Sequence, residues 1–189
     1  MAEDLKKMWG IFSLTEEKDV DVEIQKTALV GLGDRGKTCL VGQLLSDNFV
    51  GKENIKSTIL RWWKLQGMVT FNVLGNNLFL MDFEHYWEKS QVLEGQPWGF
   101  ERIIFSLEDF DGVSPLEMIE FEKVPFWVRM YKLPLACMSV EIGNQIGSTV
   151  GHVEEVEIDE DGVGWGKFLR VRIRIDVTKP LARGWRLKI

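Results

Sequence analysis

Met68-Val69-Thr70-Phe71-Asn72-Val73-Leu74-Gly75-Asn76-Asn77-Leu78-Phe79-Leu80-Met81-Asp82-Phe83 is the stretch from which the fold is read. Two apolar runs, Met68–Val73 and Leu78–Phe83, flank Gly75-Asn76-Asn77, residue types that tolerate a positive φ and turn the chain back. The pattern predicts a β-hairpin. Working outward, Lys52 to Lys64 carries Ile55, Ile59 and Trp63 at helical spacing. Tyr86 to Leu93 sets Trp87 and either Gln91 or Val92 on one side before Gly95 stops the helix. A further apolar run lies beyond each helix, Cys39–Leu45 on one side and Ile103–Leu107 on the other. The order is strand, helix, strand, strand, helix, strand.

A βαββαβ order predicts an α+β fold of the ferredoxin-like kind used by RNA-recognition-motif (RRM) domains, an order that also serves many unrelated functions. Trp62 or Trp63, Trp87, Trp98 and Phe105 are expected to close its core, with Trp98 capping the end of the second helix. The order then partly repeats. Phe126–Leu133 reads as a strand, Ser139–Val150 as a helix capped by Ser139, and Val153–Ile158 and Phe168–Val177 as strands joined by the acidic turn Asp159–Gly162. Val140, Gly143, Ile146 and Gly147 give that helix a face of small and apolar groups. The expected organisation is a flexible acidic arm at 1–27 with a short helix around Leu5 to Phe12, and an RRM-like module at 28–112. An incomplete βαββ unit at 113–189 follows, packed on or beside the module and ending in a basic strand and tail.

Composition agrees with one or two small globular domains, since the 189 residues are 45% hydrophobic and 28% charged and include eight Trp. Wholesale disorder and a fibrous chain are excluded. No apolar stretch approaches the roughly 18 residues of a membrane span, and the start, Met1-Ala2-Glu3-Asp4, is acidic where a secretory signal is basic. An intracellular protein is expected, with nucleus and cytoplasm not distinguished. Cys39 and Cys137 each sit in an apolar run and read as buried thiols; His85 and His152 are isolated, so no metal or other cofactor is expected. The net charge of −6 hides a strong asymmetry. Asp82 to Glu122 holds eleven acids against two bases and Glu154 to Asp161 six acids, whereas Gly164 to Ile189 holds eight bases against Asp176 alone, about +7.

That basic segment supplies the candidate site. Strand alternation puts Trp127, Arg129 and Tyr131 on one face of Phe126–Tyr131, and Phe168, Arg170, Arg172 and Arg174 on one face of the last strand, with Leu169, Val171, Ile173 and Ile175 opposite. Side by side, these faces form an aromatic-basic platform on which bases stack and arginines meet phosphates, with Lys179 just beyond. Two other readings of the face stand beside this one: another domain covers it, or the arginines neutralise the Glu154–Asp161 segment.

A different chemistry is suggested by Gly31-Leu-Gly-Asp-Arg-Gly36-Lys37-Thr38, which satisfies the phosphate-cradling spacing GxxxxGK[ST]. Backbone amides of such a loop wrap phosphates, Lys37 reaches the terminal ones, and Thr38 holds magnesium with Asp82 as a second ligand. Against it, the segment after Thr38 contains Val41-Gly42 and no long amphipathic helix, and the elements do not alternate as a doubly wound parallel sheet requires.

Several segments together resemble a known family. They are Met8-Trp9 with Ser13–Glu17, Cys39–Leu45, Phe49 with Lys56-Ser57-Thr58, Gly75–Leu80 and Val92–Trp98. The second half adds Pro125–Val128 with Leu133-Pro134, Ile142–Gly147, and Arg170–Leu181, the most specific string. The chain resembles the plant domain of unknown function 4283, found in proteins related to LINE-type retrotransposons and often followed by a CCHC-type zinc knuckle. The resemblance implies association with nucleic acid and no defined catalytic residues. The chain holds no such knuckle, so zinc is not carried over. With no nucleophile elbow, no HExxH and no acid–base pair, the expected function is non-catalytic binding of RNA or single-stranded DNA. The alternatives are a nucleotide-binding fragment using Gly31, Gly36, Lys37 and Thr38, or an interaction and assembly domain; self-association is a further option, and no membrane partner is expected.

Overall fold

The apolar runs around the central hairpin become the strands of one sheet. In chain order the elements are β1 Cys39–Leu44, α1 Lys52–Trp63, β2 Val69–Gly75, β3 Leu78–Phe83, α2 Tyr86–Glu94, β4 Trp98–Phe100 and β5 Ile103–Asp109. The strands lie in the order β2-β3-β1-β5-β4, every neighbouring pair antiparallel. A second antiparallel sheet, β6-β8-β7, is built from β6 Lys123–Tyr131, α3 Val140–Gly147, β7 His152–Glu157 and β8 Phe168–Asp176. The fold is thus mixed α+β, with three α-helices among the described residues. The computed structural model describes residues 36–159, 164, 166–181, 184 and 186. The expected arm at 1–27, Gly31 and most of the acidic turn at 159–162 lie outside the described residues. No helix among them is long and apolar enough to cross a membrane.

The hairpin turn is fixed by Asn77. Its φ of 56° is a left-handed conformation that Asn tolerates better than most side chains. Its side-chain amide donates to the Ser46 and Asn48 carbonyls while its Oδ1 accepts from the Val50 amide, so one buried residue also ties down the loop into α1. β4 escapes a reading by periodicity because Trp98-Gly99-Phe100 is too short to show one. It pairs with β5 across Glu101-Arg102, whose φ values of 49° and 70° make a tight turn from residue types that rarely signal it.

The first core lies between this sheet and the helices. Ile55, Ile59 and Trp63 of α1 and Val92 of α2 pack with Leu40, Leu44, Phe71, Phe79, Phe83 and Phe105. Trp63 stacks on Phe71 and Phe83 at 6.2 and 5.8 Å, and the edge of Trp98 meets it at 6.1 Å. Trp98 also donates its indole N–H to the Val92 carbonyl at 2.7 Å, the helix-end cap expected of it. Gly42 in β1 leaves room for these rings: a Cβ there would lie 2.6 Å from the Phe105 ring and 2.7 Å from Leu107.

Trp87 corrects the sequence reading. It is 51% exposed and stacks on His85, while α2 turns Glu88, Lys89 and Val92 inward. The reason is hydrogen bonding that an apolar pattern does not encode. The Glu88 carboxylate accepts from the amides of Gln66 (2.5 Å) and Gly67 (3.1 Å), satisfying the turn before β2. Lys89 donates to the Lys37 carbonyl at 2.8 Å and pairs with Asp109.

In the second sheet, α3 covers one face. Ser139 caps it, its Oγ accepting from the Ile142 amide, and Gly143 and Gly147 let it sit against the strands. A Cβ on Gly147 would lie 2.5 Å from Val153, and one on Gly143 2.8 Å from Val156. Leu169, Val171, Ile173 and Ile175 of β8 fill this second core.

These two tryptophans separate core from surface in one experiment. Trp98→Ala is expected to lower the unfolding free energy by about 3 kcal/mol, and Trp87→Ala by less than about 0.5 kcal/mol, both read from urea denaturation of the full chain.

Candidate nucleic-acid interface

The face of the second sheet opposite α3 brings the expected residues together. β6 and β8 are antiparallel neighbours with Trp127 opposite Arg172, Arg129 opposite Arg170 and Tyr131 opposite Phe168. The Arg170 guanidinium lies over the Trp127 ring at 4.1 Å, with that of Arg172 at 5.7 Å. At the far end the rings of Tyr131 and Phe168 are 5.3 Å apart, and Arg129 covers Phe168 at 4.8 Å. Lys179 is placed elsewhere, past the opposite end of β8, and pairs with Asp176 at 2.7 Å. That contact and a Thr178 hydrogen bond hold the Asp176 carboxyl down at about 2.

Charge divides this face into two parts. β7 bulges where Glu155 pairs with Arg172 although Val153 pairs with Ile173, so Glu154 is an extra residue. Its carboxylate accepts from Arg172 Nε and Arg174 Nε, both at 2.9 Å. Glu157 accepts from Arg170 at 2.9 Å, and Glu108 of β5 accepts from Arg174, tying the face to the first sheet. Three of the four arginines therefore carry carboxylate partners, as the neutralisation reading anticipates for Glu154 and Glu157. Among the described residues, Arg129, Lys132 and Lys167 have no carboxylate within ion-pair distance, and all three are exposed at the Tyr131–Phe168 end. Alternation does not single out Lys132, which falls on the opposite parity from Trp127, Arg129 and Tyr131, or Lys167, which precedes its strand; because β6 ends at Tyr131 and β8 begins at Phe168, adjacency of the strand ends is the signal that finds them.

The acids at the closed end respond oppositely to their surroundings. Burial raises the Glu154 carboxyl, but hydrogen bonds from Arg174 and Arg172 outweigh it and leave the group below its ordinary value. For Glu108 burial wins over the attraction of Arg174, and the carboxyl stands above its ordinary value.

Other candidate chemistry lies beyond the Arg174 end of this face. Gly36, Lys37 and Thr38 immediately precede β1, so the chain after the GKT sequence continues as a strand. Thr38 donates its hydroxyl to Asp82 at 3.0 Å. Lys37 lines a cavity of about 850 Å³ in which Lys89, Lys123 and Arg174 face Glu108, Asp109, Asp111 and Glu120, a balanced lining. Among the described residues no group of three His, Cys, Asp or Glu is placed to hold a metal ion.

Glu154 offers a pH signature. Glu154→Gln is expected to lower stability at pH 7 by about 1 kcal/mol, two charge-assisted hydrogen bonds discounted for partial exposure. A depressed carboxyl lends stability in full above its unfolded value of about 4.5 and loses it as pH falls through the lower folded value. The gap between variant and wild type in denaturant titrations should therefore close on acidification below about 4.5.

No curated protein matches the chain. A family model described as "Domain of unknown function (DUF4283)" matches residues 34–115, from the turn before β1 to just past β5. The candidate-site residues of β6 and β8 lie beyond that match. The segment 34–115, which carries the five-stranded sheet, thus matches the family that the sequence resembles, DUF4283.

Proposed function

We propose that this chain is a non-catalytic module that binds single-stranded RNA or DNA in a sequence-tolerant way. The observation that carries the reading is the open end of the second sheet, where the rings of Tyr131 and Phe168, tilted against each other, lie among Arg129, Lys132 and Lys167, exposed cations with no carboxylate partner among the described residues. Base stacking needs an exposed ring, and backbone neutralisation needs a cation without a competing carboxylate; on this face of the second sheet the two coincide at that end. Trp127 with Arg170 and Arg172 forms the wall along which the strand continues, and the carboxylate partners of those arginines restrict how much phosphate they attract. The order β5-β1-β3-β2 supports a ferredoxin-like, RRM-like arrangement for the first sheet, and β6-β8-β7 supports a partial copy of it. An intracellular setting, expected from the sequence, and a retrotransposon-related one, implied by the family resemblance, belong to the same proposal.

Fluorescence anisotropy with labelled single strands at several salt concentrations tests it. Tyr131→Ala is expected to weaken binding by about 1–3 kcal/mol. Arg129→Ala, Lys132→Ala and Lys167→Ala should each reduce the salt slope by about 0.7, whereas Lys179→Ala should leave it unchanged. Wild-type chain that binds neither RNA nor DNA, or a triple cation variant with undiminished affinity and slope, would refute the reading and favour an assembly domain.

A further inference from the structure

Among the described residues, the two sheets have four edge strands, and these are guarded unequally. β4 is three residues long, β6 carries Pro125 with Lys123 and Arg129, and β7 carries Glu154, Glu155 and Glu157. Brevity, proline and charge are the usual means by which an exposed strand edge avoids pairing with another chain. β2 has none of them. It runs for seven residues, Val69–Gly75, at the edge of the five-stranded sheet, and no charged residue occurs anywhere from Leu65 to Met81. Its register with β3 is regular from Val69 to Val73 and shifts only beyond, at Leu74. Thr70, Asn72 and Val73 are exposed along this regular part, Val73 at 48% and Met68 before it at 78%.

The geometry points to a second copy of this chain as the occupant of that edge: two β2 strands pair antiparallel about a two-fold axis and join the five-stranded sheets into one of ten strands. In a two-fold pair the residue on the axis meets its own copy and every other residue meets a different residue of the same strand, so a charge on the axis, or like charges at two paired positions, would oppose association. A strand without any charge is the kind that can pair with itself. Side chains of opposed residues must also point to the same face, which requires the axis to pass between two equivalent residues. Centred on Phe71, the pairing sets Thr70 beside the partner's Asn72 and seats exposed Val73 against the partner's Val69. The inference is independent of nucleic-acid binding, because β2 belongs to the other sheet.

Sedimentation equilibrium of the full chain, followed to high concentration, tests it. Wild type should be dimeric with a micromolar dissociation constant. Thr70→Lys with Asn72→Lys places two like-charge pairs across the axis and should weaken the dimer about tenfold. Thr70→Lys with Asn72→Glu places two opposite-charge pairs in the same register and should retain it. Both positions are exposed, and far-ultraviolet circular dichroism should match wild type. A monomeric wild type, a double-lysine variant that dimerises as wild type does, or a charge-complementary variant disrupted as much as the double-lysine one would overturn the inference.

Discussion

Three arginines on one face of one strand set the terms for the second sheet. Arg170, Arg172 and Arg174 of β8 are spaced two residues apart, which brings successive side chains within about 7 Å on the same face. At that distance two like charges near a protein surface oppose each other by about 2 kcal/mol. The strand is tenable because its opposite side is buried without polar groups and because carboxylates arrive from two directions. Glu154 and Glu157 come from β7, and Glu108 comes from β5 of the first sheet. The bulge at Glu154 is what allows one carboxylate to reach two arginines. Trp127 adds a neutral surface over which two guanidinium groups spread.

This arrangement explains which parts of the molecule were legible from residue types alone. Strand and helix positions follow from local period, and Leu78–Phe83 is read to the residue because a turn marks one end and the start of a helical pattern the other. The sharing of a face by Trp127, Tyr131, Phe168 and the arginines follows from the same period of two. Partners were harder to read. Whether Arg174 meets phosphate or Glu108 depends on a contact between residues 66 positions apart, which no local pattern reports. The bulge is likewise invisible, since Glu154-Glu155 read as any two acids do. Trp87 was misplaced for a related reason: hydrophobicity ranks it above Glu88, yet two amides awaiting an acceptor decide which of them turns inward.

The contact between Arg174 and Glu108 also orders the platform along its length. Residues near β5 are committed to holding the sheets together, while residues at the Tyr131–Phe168 end have no such duty. The proposed binding surface and the contact that joins the sheets thus lie at opposite ends of the same strand pair. The segment matched by the family model supplies Glu108 but none of the exposed aromatic residues of that face.

The two glycines of α3 have a mechanical consequence. With Gly143 and Gly147 against Val156 and Val153, the helix axis approaches the sheet more closely than larger residues would permit, and any sliding or rotation would drive backbone into side chain. A sheet of only three strands is thereby braced like a plate riveted at two points. Its outer surface is correspondingly stiff, and its rings are already held by guanidinium groups before anything lands on them. A single strand bound there as proposed would have to conform to the plate, so the entropy lost on docking would fall mainly on the strand, and a supple chain would settle on it more readily than a rigid body of mismatched curvature.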